Sequence, residues 1–359
     1  MRRDAPGWKR YVNRVIAREL SALTRYYDRV IQWLPRTDDG GLLLAALQCP
    51  AKVRLAADEP FPDLSGEVEG RTAVLVNGSF NHEHDIQGRL AALYPRLSRT
   101  SRILLVLYNP YLRDVYYLAN RLGLRQGELP STFLTRVDLD NLARISGYRV
   151  VWHKLRVYLP FRLLGVGELV NRLLPLVPLL RWLSLVDLVV LRPVKPGEPA
   201  GVTCVIPARN ERGNIANALR RLPRLGCPLE VIFVEGHSSD GTWEEIERVV
   251  REAPEQITVR ALRQTGRGKA DAVRLGFEHA SQPLLVILDA DLTVPPEMLV
   301  RFCGAWAAGH GDFINGSRLV YPMAAEAMRT LNRLGNVFFA KALSWVLDTR
   351  LGDSLCGTK

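Results

Sequence analysis

Four short segments in the second half of the chain combine carboxylates, basic side chains and glycines in a way that could bind a diphosphate. Their sequences are VIPARNE (205–211), VEGHSSDGTW (234–243), QTGRGKADA (264–272) and DADLTVPPE (289–297). A diphosphate needs cations beside it, and carboxylates bind the hard divalent ions that bridge to phosphate oxygens. These residue types together predict a metal-assisted nucleotide-diphosphate site.

Asp289 and Asp291 are the candidate metal ligands, because they stand one residue apart directly after an apolar run. Two carboxylates with an open backbone between them suit Mg²⁺ or Mn²⁺. Lys269 and Arg267 lie on a loop flanked by glycines and could add positive charge beside the same phosphates.

Glu235 and Asp240 are candidates for accepting hydrogen bonds from a nucleotide base or ribose. Taken one at a time, the motifs have simpler explanations. An isolated Asp-x-Asp is usually a solvated turn, SSDGT is a turn followed by a helix N-cap, and an isolated lysine is usually solvated. Their common position after successive strands favours one shared site over these explanations.

Predicted strands and helices alternate after residue 200, which indicates βαβ units and a buried parallel sheet. Ligands bind at the carboxyl ends of the strands in such sheets, where all four motifs fall. The predicted strands are GVTCVIPA, LEVIFVEG, QITVRALRQ and PLLVILDADL, and the predicted helices are NIANALRRLPRL, TWEEIERVVREA and KADAVRLGFEHA.

In this order and spacing, the four motifs resemble the family-2 glycosyltransferases of the GT-A fold, especially the dolichol-phosphate mannose synthase branch. The resemblance covers about 200–359. It implies that the 207–211 loop and the acidic 234–243 loop bind the nucleotide base and ribose. It also implies that the Asp-Ala-Asp at 289–291 binds the metal and the donor diphosphate. The donor-binding residues implied are Pro207, Ala208, Arg209, Glu211, Glu235, Asp240, Lys269, Asp289 and Arg329, with Asp289 and Asp291 on the metal.

The same resemblance extends to the end of the chain. NGSRLVYP is similar to the family's Ser-Arg-Tyr segment, and AMRTLNRLGNVFFAKAL to its acceptor helix, which implicates Arg318, Arg329 and Asn336 near the phosphates. GDSLCGTK is similar to the family's Asp-x-x-Ser-Gly loop and implicates Asp353 in catalysis together with Arg318.

Three features depart from the family pattern. Glu235 stands where Asp is usual, and Gly236 stands where a second Asp is common, so we expect altered recognition of the base or sugar. Cys and Thr replace the typical residues in the 354–358 loop. The family normally continues beyond the point matched by Lys359 with another strand, a helix and often membrane segments, so we expect poor turnover from the chain as given.

The N-terminal half resembles the class I methyltransferase-like domain that precedes such glycosyltransferases in some bacterial proteins. The expected cofactor fingerprint near 36–46 offers only the adjacent Gly40 and Gly41, and Asp58 is a weak candidate for the ribose acid. We therefore expect a methyltransferase-like domain over 1–194 without a working cofactor site, a linker at 195–200 and the glycosyltransferase domain over 201–359. FNHEHD, with His82 and His84, is predicted to be a solvated turn or a remnant of that cofactor site rather than a metal site.

The net charge of +11 belongs almost entirely to the first half, because residues 89–200 alone contribute +10. No nucleic-acid motif accompanies the basic residues, so nucleic acid is not expected, and contact with an anionic membrane surface is the more coherent hypothesis. Five widely spaced cysteines and the absence of an N-terminal apolar segment predict a cytoplasmic protein. Charges interrupt the apolar region 157–194, so no membrane-spanning helix is predicted.

These inferences predict a cytoplasmic, two-domain α/β enzyme, peripheral at the inner face of the membrane, that moves a sugar from a nucleotide-diphosphate donor to a polyprenyl-phosphate or glycan acceptor. The resemblance implies inversion at the anomeric carbon with Mg²⁺ or Mn²⁺. A phosphate acceptor needs no general base, whereas a hydroxyl acceptor would use Asp353. Two alternatives stay open, a non-catalytic binding or scaffold protein and an active S-adenosylmethionine-dependent methyltransferase.

Overall fold

The protein is described from a computed structural model, which describes residues 6–36, 39–56, 59–66, 70–124, 128–316, 330–347 and 358. The chain divides into two compact units, Met1–Lys195 and Pro196–Lys359. Each unit contains one sheet with helices, so the predicted α/β class with two sheets is confirmed. The extents predicted for the two domains and the linker stay predictions.

The N-terminal unit is built on a six-stranded mixed sheet with the order β2-β1-β3-β4-β6-β5. Strand β6 is antiparallel to both of its neighbours, β4 and β5, whereas the other pairs of neighbouring strands are parallel. The strands are β1 (Arg29–Gln32), β2 (Ala51–Arg54), β3 (Thr72–Asn77), β4 (Arg102–Tyr108), β5 (Tyr148–Arg156) and β6 (Val186–Pro193). The helices are α1 (Gly7–Thr24), α2 (Leu42–Ala46), α3 (Ile86–Leu93), α4 (Arg113–Arg121), α5 (Arg136–Ile145) and α6 (Val166–Leu173).

The apolar runs of β3, β4 and β6 form the centre of this sheet, because their side chains are buried on both faces. Helix α3 begins at Asp85, whose carboxylate accepts the N–H of Gly88. Helix α5 begins with a capping box between Thr135 and Asp138. The sequence also predicts helical stretches near 86–97, 111–122 and 138–146, and these correspond to α3, α4 and α5.

One segment of the N-terminal unit differs from its prediction. From its sequence, DDGGLLLAALQ (38–48) is expected to be a strand or a short buried segment, but its Leu42–Ala46 part is helix α2. Gly40 and Gly41 both have positive φ angles, so they turn the chain before a run of good helix formers. The β1 and β2 strands were not predicted, since each has only four residues and all four in β2 are exposed.

The C-terminal unit is built on a four-stranded parallel sheet with the order β10-β7-β8-β9. Its strands are β7 (Val202–Ala208), β8 (Leu229–Glu235), β9 (Ile257–Arg263) and β10 (Leu284–Ile287), all four as predicted. Its helices are α7 (Arg212–Arg220), α8 (Thr242–Arg251), α9 (Lys269–Glu278), α10 (Leu299–Ala307) and α11 (Thr330–Leu347). In the described part of the chain, no helix is long and apolar enough to cross a membrane.

Candidate active site

The predicted site residues that directly follow the strands of the C-terminal unit lie at one edge of the parallel sheet. Ala208 at the end of β7 pairs in register with Glu235 at the end of β8, and Glu235 pairs with Arg263 at the end of β9. Asp289 follows β10 at the same edge because β10 runs parallel to β7. Parallel strands direct the loops that follow them to this edge, which explains why motifs far apart in sequence become neighbours.

The loops after β7 and β8 are joined by hydrogen bonds between their backbones and side chains. Asn210 donates its N–H to Ser238 Oγ at 2.9 Å and accepts the N–H of Ser239 on Oδ1 at 3.0 Å. Glu211 donates its N–H to Thr242 Oγ1 at 2.9 Å. Asn210 adopts a left-handed backbone with φ 55°, which asparagine tolerates better than most residues. The two loops therefore form one continuous platform.

Asp240 holds this platform together. Its carboxylate accepts the N–H of Arg212 at 3.2 Å, the N–H of Thr242 at 3.0 Å and the Thr242 hydroxyl at 2.5 Å. These hydrogen bonds, that of the Thr242 hydroxyl above all, hold the pKa of the Asp240 carboxyl below its ordinary value. The Asp240 carboxylate thus binds the N–H of the first residue of α7. The contact with the donor that was predicted for Asp240 stays a prediction.

Glu235 is buried, with 7% of its surface exposed, and its carboxylate accepts the N–H of Ser238. The next residue, Gly236, has little room for a side chain, because a Cβ there would lie 3.1 Å from Gln264 Oε1. Glycine at this position, where the resembled family commonly has an acid, therefore leaves space for the buried side chain of Gln264.

Gln264 fixes the basic loop before α9. Its Nε2 donates to the Gly268 carbonyl at 2.8 Å and to Asp271 Oδ2 at 2.9 Å. His237, in a left-handed conformation with φ 60°, donates from Nε2 to the Gly266 carbonyl at 3.0 Å. The flexible Gly-Arg-Gly sequence is thus held from the β8 side and the β9 side.

Lys269, the first residue of α9, forms an ion pair with Asp289. Asp291 lies two residues further on, and its Oδ1 accepts the N–H of Thr293 at 2.9 Å. Leu292 turns the chain here with φ 54°. A lysine and two carboxylates are therefore concentrated at the end of β10, as predicted for a diphosphate site.

The donor set at the end of β10 fits a hard divalent cation. Asp289 and Asp291 each use one carboxylate oxygen in the contacts above and have a second oxygen without a hydrogen bond to any described residue. The described residues contain no group of three or more metal-ligating side chains. A cation bound there would complete its coordination with donor phosphate oxygens and water, as Mg²⁺ commonly does.

The other predicted site residues of the C-terminal unit divide into those that the structure describes and those that it does not. Arg318, Arg329 and Asp353 lie outside the described residues, and Asn336 is placed in helix α11 by its backbone alone. Of the other predicted donor residues, Pro207 is partly buried, Arg209 is exposed, and Glu211 accepts from Asn214 Nδ2 at 2.7 Å.

Sequence reasoning missed four polar residues that shape this site: Asn210, His237, Ser238 and Gln264. Each lies in a loop directly after a strand, within or next to a motif that was recognised. Their position directly after a strand was the signal that could have identified them as site residues. The hydrogen bonds between different loops could not be read from one segment alone.

In the N-terminal unit, the residue before Gly40 is tied into a polar cluster. The Asp39 carboxylate accepts from Gln32 Nε2 and from Asn77 Nδ2, the latter at 2.9 Å. His84 is exposed, whereas the partly buried His82 has its Nδ1 3.9 Å from Glu128. Asp58 lies outside the described residues.

A family model described as glycosyl transferase family 2 matches residues 203–351. This region is related in sequence to dolichol-phosphate mannosyltransferases, which confirms the relation expected from its motifs. A dolichol-phosphate mannosyltransferase from Pyrococcus furiosus is 34% identical over 122 residues, which cover 33% of this chain and 33% of that protein. A dolichyl-phosphate hexose transferase from Haloferax volcanii is 30% identical over 151 residues, which cover 42% of this chain and 61% of that protein. The chain thus spans a third of the first relative and less than two thirds of the second.

Solved structures resemble each half. A mannosyltransferase from Pyrobaculum calidifontis in complex with GDP-Man and Mn²⁺ is 32% identical, covering 30% of this chain and 33% of that chain, with a TM-score of 0.26. A SAM-dependent methyltransferase from Archaeoglobus fulgidus is 12% identical, covering 51% of this chain and 94% of that chain, with a TM-score of 0.33. The second resemblance concerns the N-terminal half, which the sequence analysis compared with methyltransferases.

Proposed function

We propose that the C-terminal unit is a metal-dependent, inverting glycosyltransferase that moves a hexose from a nucleotide-diphosphate donor to a polyprenyl-phosphate acceptor. The observation that supports this most is the grouping of Lys269, Asp289 and Asp291 at the carboxyl edge of a parallel sheet. The match of residues 203–351 to family 2 glycosyltransferases agrees with it, and the relatives' names supply the acceptor class.

The proposed reaction is an in-line displacement. The acceptor oxygen forms a bond to the anomeric carbon while the bond from that carbon to the donor diphosphate breaks, and the electron pair leaves on the diphosphate. A divalent ion held by Asp289 and Asp291 would offset the charge that develops on this leaving group. Lys269 is positioned to add a second positive charge there, because its ammonium already lies against Asp289.

The acceptor decides whether a base is needed. A polyprenyl phosphate already carries a nucleophilic oxyanion, whereas a glycan hydroxyl would have to lose a proton, for which Asp353 stays the predicted base. Arg318 and Arg329 stay predicted partners of the phosphates. We favour the phosphate acceptor because the relatives named above are dolichol-phosphate and dolichyl-phosphate transferases.

For the N-terminal unit we keep the prediction that no working S-adenosylmethionine site is present. The support is the loop after β1, where Asp39 is engaged by Gln32 and Asn77 beside the two adjacent glycines. We also propose that the protein acts at the cytoplasmic face of a membrane, since a polyprenyl-phosphate acceptor is held there by its lipid tail.

A transfer assay tests the proposal. The protein is incubated with Mn²⁺, labelled UDP- or GDP-hexoses and a short polyprenyl phosphate, and labelled lipid is extracted into organic solvent. We expect product with one donor, an inverted anomeric configuration by NMR, and loss of product in Asp289→Asn. Glu278→Gln is the matched control, because this exposed carboxylate ends α9 at the opposite edge of the sheet. Lipid-linked product that forms equally well in Asp289→Asn, or with chelator present, would contradict the metal-dependent mechanism.

A further inference from the structure

The N-terminal unit exposes an unusual number of large apolar side chains in two neighbouring stretches, 111–122 and 161–183. Leu164 is fully exposed, and Tyr111, Leu118, Leu169 and Trp182 are each more than half exposed. Monomeric soluble proteins rarely expose a large continuous apolar surface without a binding role. We call the exposed apolar side chains of these two stretches the apolar rim.

Helix α6 directs one apolar face outward because its opposite face is fixed. Val166, Leu169 and Leu173 are exposed and spaced three and four residues apart, so they share one side of the helix. On the other side, Asn171 donates to Tyr11 Oη at 3.0 Å and to the Leu159 carbonyl at 2.8 Å. The apolar face is therefore held toward solvent by these contacts.

Gly167 makes the close approach on that fixed side possible. A Cβ at this position would lie only 2.0 Å from the Phe161 carbonyl oxygen. The helix is thus seated against the preceding turn where only glycine fits.

A second anchor holds the 178–184 segment and joins it to the residues before α4. Buried Asn109 donates to the carbonyl oxygens of Trp182 at 3.0 Å and Ser184 at 2.7 Å. The rings of Tyr111 and Trp182 are in edge contact, with centroids 5.1 Å apart. Beyond Tyr111, the exposed side chains of α4 and the residue after it repeat the spacing seen in α6, and they are Val115, Leu118 and Leu122. The contact between Tyr111 and Trp182 therefore joins the two stretches of the apolar rim.

Both stretches lie at the same edge of the sheet. Chain segment 109–124 follows the carboxyl end of β4, and segment 157–185 connects the end of β5 to the start of β6. Because β6 is antiparallel to both β4 and β5, all three points fall at one edge. These two segments contain five arginines and only two carboxylates.

A basic cavity of about 410 Å³ adjoins the apolar rim at Phe161. Arg10, Arg14 and Arg162 line it together with the aromatic side chains of Trp8 and Tyr11. Arg162 is paired with Glu168 at 2.9 Å, whereas Arg10 and Arg14 make no ion pair with another described residue. Two guanidinium groups without an ion pair to any described residue therefore stand beside an exposed apolar surface.

We propose that the apolar rim is a membrane-docking surface, and that the cavity lined by Arg10 and Arg14 receives the phosphate of an anionic lipid. A membrane fits both features, because apolar side chains enter the acyl boundary while arginines remain at the headgroups. The excess of arginine matches the negative surface of a cytoplasmic leaflet. This proposal identifies the surface that would hold the protein at the membrane, the location proposed above. It does not depend on the transferase chemistry.

Several basic residues of 89–200 bind other groups of the N-terminal unit and do not belong to the docking surface. Lys154 and Arg156 both pair with Glu19 on α1, at 2.8 Å and 2.9 Å. Arg102 donates to the carbonyl oxygens of Arg99 and Ser101 at the amino end of β4. The docking surface is thus defined by the apolar rim and its adjoining arginines, not by the whole basic block.

Vesicle flotation tests the proposal with the full chain and with vesicles of phosphatidylcholine, with or without one third phosphatidylglycerol. We expect binding to the anionic vesicles, a decrease with added salt, and little binding to the neutral ones. L169E/L173E should weaken the partition coefficient by at least about tenfold, because it places charge in the inserted face. R10Q/R14Q should weaken it by about fivefold for each arginine removed.

The matched control is V137E/I145E, which changes two exposed apolar residues of α5 that lie outside the two stretches forming the apolar rim. It should bind the anionic vesicles like the wild type. Quenching of tryptophan fluorescence by brominated lipid should fall in Trp182→Phe, which reports insertion of that ring. Circular dichroism and donor titration of each variant separate misfolding, or failure of the proposed function, from loss of docking.

Three results would overturn the proposal. They are absence of binding to anionic vesicles at low salt, equal binding by L169E/L173E and the wild type, and equal loss in V137E/I145E. Self-association in solution that L169E/L173E abolishes, without vesicle binding by the wild type, would assign the apolar rim to an interface between copies of this chain instead.

Discussion

Lys269 and Asp289 form an ion pair that joins the first turn of α9 to the chain just beyond β10. The pair brings a cation and a candidate metal ligand from two separate βα units to one point at the sheet edge. Gln264 and His237 hold the loop that leads to Lys269, so contacts within this loop and from the loop after β8 fix the backbone from which the lysine side chain extends.

Lys269→Gln should weaken donor binding far more than it weakens the fold. The lysine side chain is 48% exposed, so loss of the pair should change the free energy of unfolding by less than about 1 kcal/mol. Affinity for the nucleotide-sugar should fall about tenfold or more if the ammonium contacts phosphate. Calorimetry and chemical denaturation measure the two effects. Arg251→Gln, an exposed cation at the far end of α8, is the control, and an unchanged donor affinity in Lys269→Gln would remove the lysine from the site.

Gly236→Ala should act through Gln264. The added methyl group would press on Gln264 Oε1 and disturb the bonds that this side chain makes to Gly268 and Asp271. We expect donor affinity to fall severalfold in Gly236→Ala and in Gln264→Ala, but to fall little further in the double variant. Strictly additive losses in a double-mutant cycle would show that the two residues act independently.

Glu230 should contribute a pH-dependent part of the stability of the C-terminal unit. The side chain is almost fully buried at the amino end of β8 and accepts from Thr203 at 2.6 Å and from the N–H of Ser281 at 2.8 Å. Burial raises its pKa, but the hydrogen bonds outweigh that effect and lower the pKa below 4.5. The folded state therefore favours the ionised form.

Glu230→Gln should consequently cost about 2 to 3 kcal/mol of unfolding free energy near neutral pH. The wild-type advantage is complete above the ordinary pKa of 4.5 and is lost as the pH falls through the lower folded-state value. Denaturant titrations at several pH values should show the gap between the two proteins narrowing in acid. A gap that stays constant or widens on acidification would contradict this assignment. The control Glu278→Gln should show no such gap in unfolding free energy from the wild type.

Asn109→Ala should loosen the segment that presents Trp182. It removes the donors to the Trp182 and Ser184 carbonyl oxygens and the acceptor for the N–H of Tyr111. We expect a loss of about 2 kcal/mol in the free energy of unfolding of the N-terminal unit. Hydrogen exchange should accelerate in residues 180–185 but not in β3, and unchanged protection there would show that other contacts hold the segment.

The sequence was informative where burial is continuous. Strands β7 and β8 were predicted because runs such as Val231–Val234 are buried on both faces, which leaves an apolar pattern without interruption. The motifs that follow these strands meet at one edge for a purely topological reason. Those residues of the site could therefore be predicted without any knowledge of side-chain contacts.

Other features could not be predicted because their cause lies outside the local segment. The exposed β2 strand has no apolar alternation, and the five residues of α2 are too few to show a helical period. For Asp240 the sequence predicts a donor contact but not the hydrogen bond from the N–H of Arg212, because Arg212 lies in another loop, 28 positions earlier in the chain. Pairings of that kind are set by tertiary packing.

Titration of the protein with UDP- and GDP-sugars, in the presence and absence of Mn²⁺, is the decisive test of the proposed donor site. We expect one nucleotide-sugar to bind in a metal-dependent way, and we expect Asp289→Asn and Asp291→Asn each to abolish the metal-dependent part while Glu278→Gln retains it. Binding of no nucleotide-sugar, or binding that is the same without metal and in both aspartate variants, would contradict it.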